Sequence, residues 1–373
     1  MRRTAPVLAA VAGLSACLAP PPPIVVETPY GEVRAESEHT ADEFADLLQR
    51  LAPEVQRILP GSLKRPIDVW IQDEPRVWRF HPRPESVRGF TLLADEFDAR
   101  RIHLQADGQS PWYLSHELVH ALIDRSWTPL PGILEEGLGD VVAERLNPDF
   151  GGHIRSHRLL NASSFSGGFT VEIAYRTPDA SGASGEGPRT TRRVLVETGD
   201  SLPFELWDDL LGASRNELHQ RWPEIPEPLY GMAWFLVERI VERRGFEGLH
   251  ELCLAATRQG HPIVPRAWLY EAAEFDPSSF DADFLSQCFG RREFLRAVYL
   301  QPEAFGAAAL EVLDPLREAV GQRNLFFTAR PVFVLADGRE IPLGLIGPIR
   351  EAIRRSSGSE RGAGARPPAP SEP

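Results

Sequence analysis

The segment from residue 110 to residue 147 constrains the fold of this chain more than any other stretch. Ser110-Pro111 predicts a helix start, because serine caps helix N-termini and proline is tolerated at the first helical position. This helix should run from Trp112 to about Asp124. Pro129 to Gly132 then predict a turn, and a second helix from Ile133 to about Leu146 should end before a proline. The segment therefore predicts two helices that run back past each other.

The first of these helices carries two histidines and the second carries glutamates. His116 and His120 lie four residues apart, so their imidazoles point to the same helix face. Two neutral imidazoles and one carboxylate are a ligand set for Zn²⁺, and Glu136 follows His120 after a turn. Glu135 competes for this third position, but it points about 100° away from Glu136 on the helix. Only Glu136 has an aspartate, Asp140, four residues later. We therefore expect His116, His120 and Glu136 to bind one zinc ion.

Two further carboxylates have predicted roles beside these ligands. Glu117 follows His116 directly, where it can accept a proton from water and pass it to a leaving amine. Asp140 lies on the same helix face as Glu136 and can accept a hydrogen bond from the outer nitrogen of a ligand histidine. The residues therefore predict metal-assisted hydrolysis, with an isolated His-Glu-x-x-His match on a solvated helix as the alternative.

The pattern His116-Glu117-x-x-His120 followed by Glu136-x-x-x-Asp140 resembles the gluzincin metallopeptidases, and Leu134 to Leu138 looks most like their peptidase MA-like branch. The resemblance implies the same three ligands, Glu117 as general base and Asp140 as the partner of the first histidine. It also implies an α+β fold with a small mixed-sheet N-terminal lobe, the HExxH helix pair and a mainly helical C-terminal half.

The resemblance raises two further expectations. In gluzincins an edge strand before the active helix pairs with the peptide substrate, and Arg101 to Gln105 is such a candidate strand, with a plain internal strand as the alternative. Gluzincins also use a tyrosine or histidine to stabilise the tetrahedral intermediate. Tyr230 is the main candidate for this role, and a packed aromatic is the alternative. The lesser candidates are Tyr113, His153, His157 and Tyr175.

The N-terminus predicts export and lipid anchoring. Residues 1–16 combine Arg2-Arg3 with a short apolar stretch, which is typical of a signal peptide, and are too short for the roughly 20 residues of a membrane-spanning helix. Leu14 to Cys17 resembles a bacterial lipobox, which implies cleavage before Cys17 and its lipidation; an ordinary signal peptide is the alternative. Residues 17–29 then form a proline-rich linker. These features indicate the bacterial cell envelope, facing the periplasm or exterior, with inner or outer membrane left open.

The net charge and the absence of other motifs exclude several classes of function, and the cysteines leave two alternatives. The net charge of −13 disfavours nucleic acid as a partner, and we find no serine-hydrolase elbow or nucleotide-binding loop. Cys253 and Cys288 form either a disulfide, as the exported location favours, or two buried thiols.

The sequence thus predicts a signal peptide at 1–16, a linker at 17–29, a gluzincin-like domain at 30–260, a region of unknown role at 261–355 and a disordered tail at 356–373. The predicted function is zinc-dependent hydrolysis of peptide bonds by a lipid-anchored metallopeptidase. The alternative is a non-catalytic lipoprotein that binds peptides or proteins on the same scaffold. The sequence leaves the natural substrate and the oligomeric state open.

Overall fold

The computed structural model divides the chain into two compact units, each described by itself. The first comprises residues 1–154, 207–226 and 233–274, and the second comprises residues 155–206, 227–232 and 275–373. The structure describes residues 21–72, 89–93, 100–106, 110–148, 154–155, 158, 161–162, 165, 168–176, 189–197, 202–222, 225–275, 327–334 and 340–342. The signal peptide, Cys17 and the C-terminal tail therefore lie outside the described residues.

The first unit contains a five-stranded mixed sheet. Its strands are β1 (Ile24–Thr28), β2 (Gly31–Ala35), β3 (Asp68–Ile71), β4 (Gly89–Leu93) and β5 (Arg100–Leu104). They lie in the order β1-β2-β3-β5-β4, in which β2, β3 and β5 are parallel while β1 and β4 are antiparallel to their neighbours. The predicted edge strand at 101–105 is therefore wrong, because β4 pairs with the outer side of β5. The internal alternative is confirmed, and β4 lies at the edge.

Strand β1 corrects the predicted linker at 17–29. Residues 24–28 (Ile-Val-Val-Glu-Thr) are rich in β-branched side chains, which favour strands, and they pair with β2 across a tight turn. If residues 17–23 form a linker, it is therefore shorter than the sequence predicted.

Helices of the first unit cover this sheet and carry the ligand candidates. Helix α1 (Glu38–Ile58) is capped by Ser37, whose side chain accepts a hydrogen bond from the Thr40 amide, and its buried apolar face contacts β1 and β2. Helices α2 (Ser110–Leu122) and α3 (Gly132–Leu146) pack against each other. The predicted helix pair is therefore confirmed, with bounds shifted by one or two residues.

The described residues beyond α3 form four more helices: α4 (Phe204–Leu211), α5 (Arg215–Arg221), α6 (Glu227–Arg258) and α7 (Arg266–Ala272). Within α6, Gly245 adopts φ 72° and ψ 176°, a conformation that favours glycine. The sequence pattern predicts separate helices at 229–244 and 246–256, and the structure joins them across the non-helical Gly245. Helix α7 lies inside the region 261–355, whose role the sequence leaves open.

The second unit contains an antiparallel sheet that the sequence analysis did not predict as a whole. Its strands are β6 (Gly168–Arg176), β7 (Arg189–Glu197), β8 (Phe327–Val334) and β9 (Glu340–Pro342), in the order β7-β6-β8-β9. The sequence predicts only the β8–β9 hairpin. Two strand-like runs at 332–334 and 340–343 are separated by Ala336-Asp337-Gly338, which is typical of a hairpin turn. The mixed α+β class is thus confirmed, and the C-terminal half adds strands to its helices.

Two further predictions concern membranes and cysteines. Among the described residues, no helix has the length and apolar character needed to cross a bilayer. Cys253 is a buried free thiol in α6, and burial raises its pKa to about 12. Cys288 lies outside the described residues, and the free thiol of Cys253 favours the alternative of two thiols over a disulfide.

Candidate metal centre

Helices α2 and α3 bring the three predicted ligands together. Each of His116, His120 and Glu136 offers one ligand atom, and these atoms all lie within 4.8 Å of one another. The Nε2 atoms of the two histidines are 3.1 Å apart. The carboxylate oxygens of Glu136 lie 3.4 Å from Nε2 of His116 and 3.7 Å from Nε2 of His120. The spacing of four residues on α2 and the turn before α3 therefore produce the convergence that the sequence predicts.

The outer nitrogen of each histidine meets a different buried carboxylate. His116 Nδ1 lies 3.0 Å from Oδ1 of Asp140, which is fully buried, as predicted for this aspartate. His120 Nδ1 lies 2.6 Å from Oε1 of Glu135. Glu135 is therefore directed away from the three ligand atoms, and Glu136 takes the inner position. A carboxylate on the outer nitrogen fixes the ring and increases the basicity of the inner nitrogen.

The chemistry of these donors fits a cation. Carboxylates accept hydrogen bonds, so the Nδ1 atom of each histidine donates outward, to Asp140 from His116 and to Glu135 from His120. Burial lowers the pKa of His116, but hydrogen bonds with Asp140 and Glu136 outweigh it and raise the pKa to about 10. Burial also lowers the pKa of His120. Without a metal ion, a proton on His116 supplies the positive charge beside Glu136, and Zn²⁺ can take its place because it accepts two imidazoles and a carboxylate.

Two glycines let α3 approach its neighbours closely. A Cβ atom on Gly139 would lie 2.7 Å from Nδ1 of His116, in the place of its ring. A Cβ atom on Gly137 would lie 2.5 Å from the backbone oxygen of Ala233 in α6. Both contacts are shorter than side-chain carbons allow, so glycine at these positions keeps α3 against the His116 ring on one side and α6 on the other.

The predicted general base, Glu117, is held by the edge strand. Thr91 of β4 donates a hydrogen bond from Oγ1 to Oε2 of Glu117 at 2.6 Å, and its hydroxyl also lies 3.2 Å from the Glu117 backbone oxygen. A Cβ atom on Gly89 would lie 3.3 Å from Oε1 of the same carboxylate. The charge of Glu117 also acts to raise the pKa of His120. Glu117 is therefore a buried, oriented carboxylate next in sequence to a ligand.

The candidates for stabilising the tetrahedral intermediate have different outcomes. Tyr230 belongs to the second unit, where the guanidinium of Arg158 lies 5.5 Å from its ring centroid, and its catalytic role stays a prediction. Tyr113 in α2 packs edge-on against Trp112 at 4.8 Å. His153 and His157 lie outside the described residues, and only the backbone of Tyr175 is described, in β6.

Sequence reasoning missed two residues of the centre. Arg215 forms an ion pair with Glu135, and Thr91 contacts Glu117. Ser214 and Glu217 form a capping box, a signal that predicts the start of α5 at Arg215 but not its partner. Neither contact has a local sequence signal, because each joins residues far apart in the chain.

Comparison of the chain with protein-family models, with curated proteins and with solved structures found no match in any of the three.

Proposed function

We propose that this chain is a zinc-dependent metallopeptidase that hydrolyses peptide bonds. The observation that carries the proposal is the convergence of three ligand atoms from His116, His120 and Glu136 within 4.8 Å, beside the buried carboxylate of Glu117. The orientation of both histidines by outer carboxylates supports it, since catalytic zinc centres share this feature.

Bound zinc supplies Lewis-acid chemistry, since it polarises a carbonyl group and lowers the pKa of coordinated water to about 7. His116, His120 and Glu136 would hold the ion. Glu117 accepts the proton of the attacking water and transfers it to the departing amine nitrogen. The hydroxyl of Thr91 binds Oε2 of Glu117, so that proton transfer falls to Oε1.

The edge strand β4 is the proposed binding element for an extended peptide. Its inner side pairs with β5, and its place at the end of the sheet allows a substrate strand to add by main-chain hydrogen bonds. The same strand contacts Glu117 through Thr91, which would bring the peptide backbone close to the general base. This role replaces the one that the sequence analysis gave to residues 101–105.

We also propose that the protein acts outside the cytoplasm, on a membrane surface to which lipidated Cys17 anchors it. The lipobox-like sequence before Cys17 supports this location. Peptides or proteins of the envelope or exterior would be its substrates. Mass spectrometry of the membrane-extracted protein tests the anchor, which predicts an N-terminal peptide beginning at a diacylated cysteine.

The decisive experiment compares the purified full-length chain with its Glu117→Gln variant on a broad peptide library, with and without a chelator. The glutamine can keep the bond from Thr91 but cannot take a proton, so hydrolysis should fall by roughly 10²- to 10⁴-fold while zinc content is unchanged. Glu54→Gln, at an exposed ion pair on α1, is the matched control and should cleave like the parent.

Each result of this experiment has a defined meaning. Full activity of Glu117→Gln would exclude Glu117 as the base. If the zinc-loaded parent cleaves no peptide in the library, the metallopeptidase proposal is wrong, and the non-catalytic binding lipoprotein becomes the better account.

A further inference from the structure

The outer nitrogen of His120 is bound by a carboxylate that is itself held by an arginine. His120 Nδ1 donates to Oε1 of Glu135 at 2.6 Å. The guanidinium of Arg215 binds the same carboxylate with two groups, Nε to Oε2 at 2.5 Å and Nη2 to Oε1. Glu135 is only 4% exposed, while the side chain of Arg215 is 27% exposed, so water is excluded from the carboxylate but reaches part of the arginine. A two-point pair between arginine and carboxylate is both strong and directional.

The backbone places Arg215 at this position. Arg215 is the first residue of α5, whose start is fixed by the capping box of Ser214 and Glu217. The amide of Gly132, at the start of α3, donates to the backbone oxygen of Ala213 at 2.9 Å. A Cβ atom on Gly132 would lie 2.8 Å from Cα of Arg215. The two helix starts therefore touch, which brings the arginine next to Glu135.

We propose that Glu135 and Arg215 form a clamp that positions His120 as a metal ligand. The proposal rests on the zinc centre of the proposed function and assigns these two residues a positioning role within it. Arg215 donates to both oxygens of Glu135, so this carboxylate is held in place as the acceptor for Nδ1–H of His120. The inner Nε2 of His120 therefore carries its lone pair and points to His116 and Glu136.

The clamp complements the contact of Asp140 with His116 but differs from it in construction. Asp140 lies on the same helix as the ligand Glu136, so its position follows from the spacing on α3 alone. The clamp joins α3 to α5, and Arg215 lies 80 residues after Glu135. His120 is thus the ligand whose orientation depends on the packing of a separate part of the chain.

Zinc affinity and the tautomer of His120 test the clamp. The full-length protein and its variants are titrated with zinc in competition with a chromophoric chelator. We expect Glu135→Ala and Arg215→Met to weaken zinc binding by about 10- to 100-fold, the usual effect of losing such an outer partner. The zinc affinity of Glu135→Gln should be intermediate between those of the parent and of these two variants, because its amide oxygen still accepts a hydrogen bond from Nδ1–H of His120. Arg221→Met, on the exposed end of α5, is the matched control and should bind zinc like the parent.

Nitrogen NMR of the metal-free protein reports the His120 ring without any need for zinc or activity. The parent should show the Nδ1–H form, and Glu135→Ala should show a mixture of tautomers. Parent-like affinity in both Glu135→Ala and Arg215→Met, or an unchanged tautomer in Glu135→Ala, would overturn the clamp. Circular dichroism checks folding, and if Arg215→Met does not fold, the two Glu135 variants decide the result.

These measurements separate the clamp from the function on which it rests. A parent that binds zinc tightly but cleaves nothing contradicts the metallopeptidase proposal, while the affinity series still decides the clamp. A parent that binds no zinc contradicts the metal centre, and the tautomer of His120 then decides whether Glu135 orients the ring.

Discussion

The folding stability of the first unit should fall at acidic pH because of one buried histidine, His103. This residue of β5 is only 3% exposed, its Nδ1 lies 3.1 Å from Oε1 of Gln72, and its ring packs against Trp70 at 5.2 Å. Burial, assisted by the charge of Arg101, lowers the pKa of His103 from 6.5 to about 4. The folded protein therefore resists protonation of this ring, and the unfolded chain does not.

The sign and size of the effect follow from this difference in pKa. Between about pH 6.5 and pH 4 the unfolded chain binds more protons than the folded protein, so stability rises with pH. The contribution of His103 is complete above about pH 6.5 and is lost progressively as the pH falls toward 4. One pKa unit corresponds to about 1.4 kcal/mol, so the loss between about pH 7.5 and pH 4.5 is roughly 2.5 kcal/mol.

Urea denaturation of the metal-free protein, followed by tryptophan fluorescence, measures this quantity at the two pH values. The comparison is between the parent and His103→Gln, which can still donate to Gln72 but does not titrate. Between about pH 7.5 and pH 4.5, the free energy of unfolding of the variant should fall by about 2.5 kcal/mol less than that of the parent. This difference does not depend on the stability of the variant at neutral pH. His39→Gln, at an exposed histidine on α1, should behave like the parent. Equal pH dependence in parent and His103→Gln would refute the reasoning.

Two substitutions in α3 test the geometry of the metal centre. Asp140→Asn exchanges a charged acceptor for a neutral amide beside His116, so zinc affinity should drop by about 10- to 100-fold in chelator competition; parent-like affinity would show that the aspartate is not needed to orient the ring. Gly139→Ala places a Cβ atom on the His116 ring and should weaken zinc binding at least as much. Gly212→Ala is its control, since that Cβ atom meets only ordinary contacts of 3.5 Å or more, and an equal effect of both alanines would contradict the steric argument.

The parts of this centre that the sequence predicts are those determined by a few consecutive turns of helix. His116 and His120 share a face because of their spacing, and Glu136 and Asp140 do so for the same reason. The prolines and glycine between the helices indicate the turn, and the structure has that turn. Local spacing is therefore sufficient to predict which side chains converge, as the described distances confirm.

The contacts that the sequence does not predict depend on pairing between distant segments. Strand order is one example: β5 and β4 are both recognisable as strands, but only the sheet decides that β4 is at the edge. The position of Thr91 against Glu117 follows from that order. The contact of Arg215 with Glu135 similarly needs α5 to pack against α3, and no periodicity in the sequence encodes this packing.

The separation of 80 residues between Glu135 and Arg215 has a consequence for the order in which the centre assembles. The ligands from His116 to Glu136 can meet as soon as one helical hairpin has formed, because the loop that they close is short. Arg215 reaches Glu135 only through a loop of 80 residues, whose closure costs more entropy and therefore comes later. Until then Glu135 and Glu136 are distinguished only by the directions in which they point from α3. The ion pair thus makes the final geometry of His120 a late event in folding, completed only when α5 has packed.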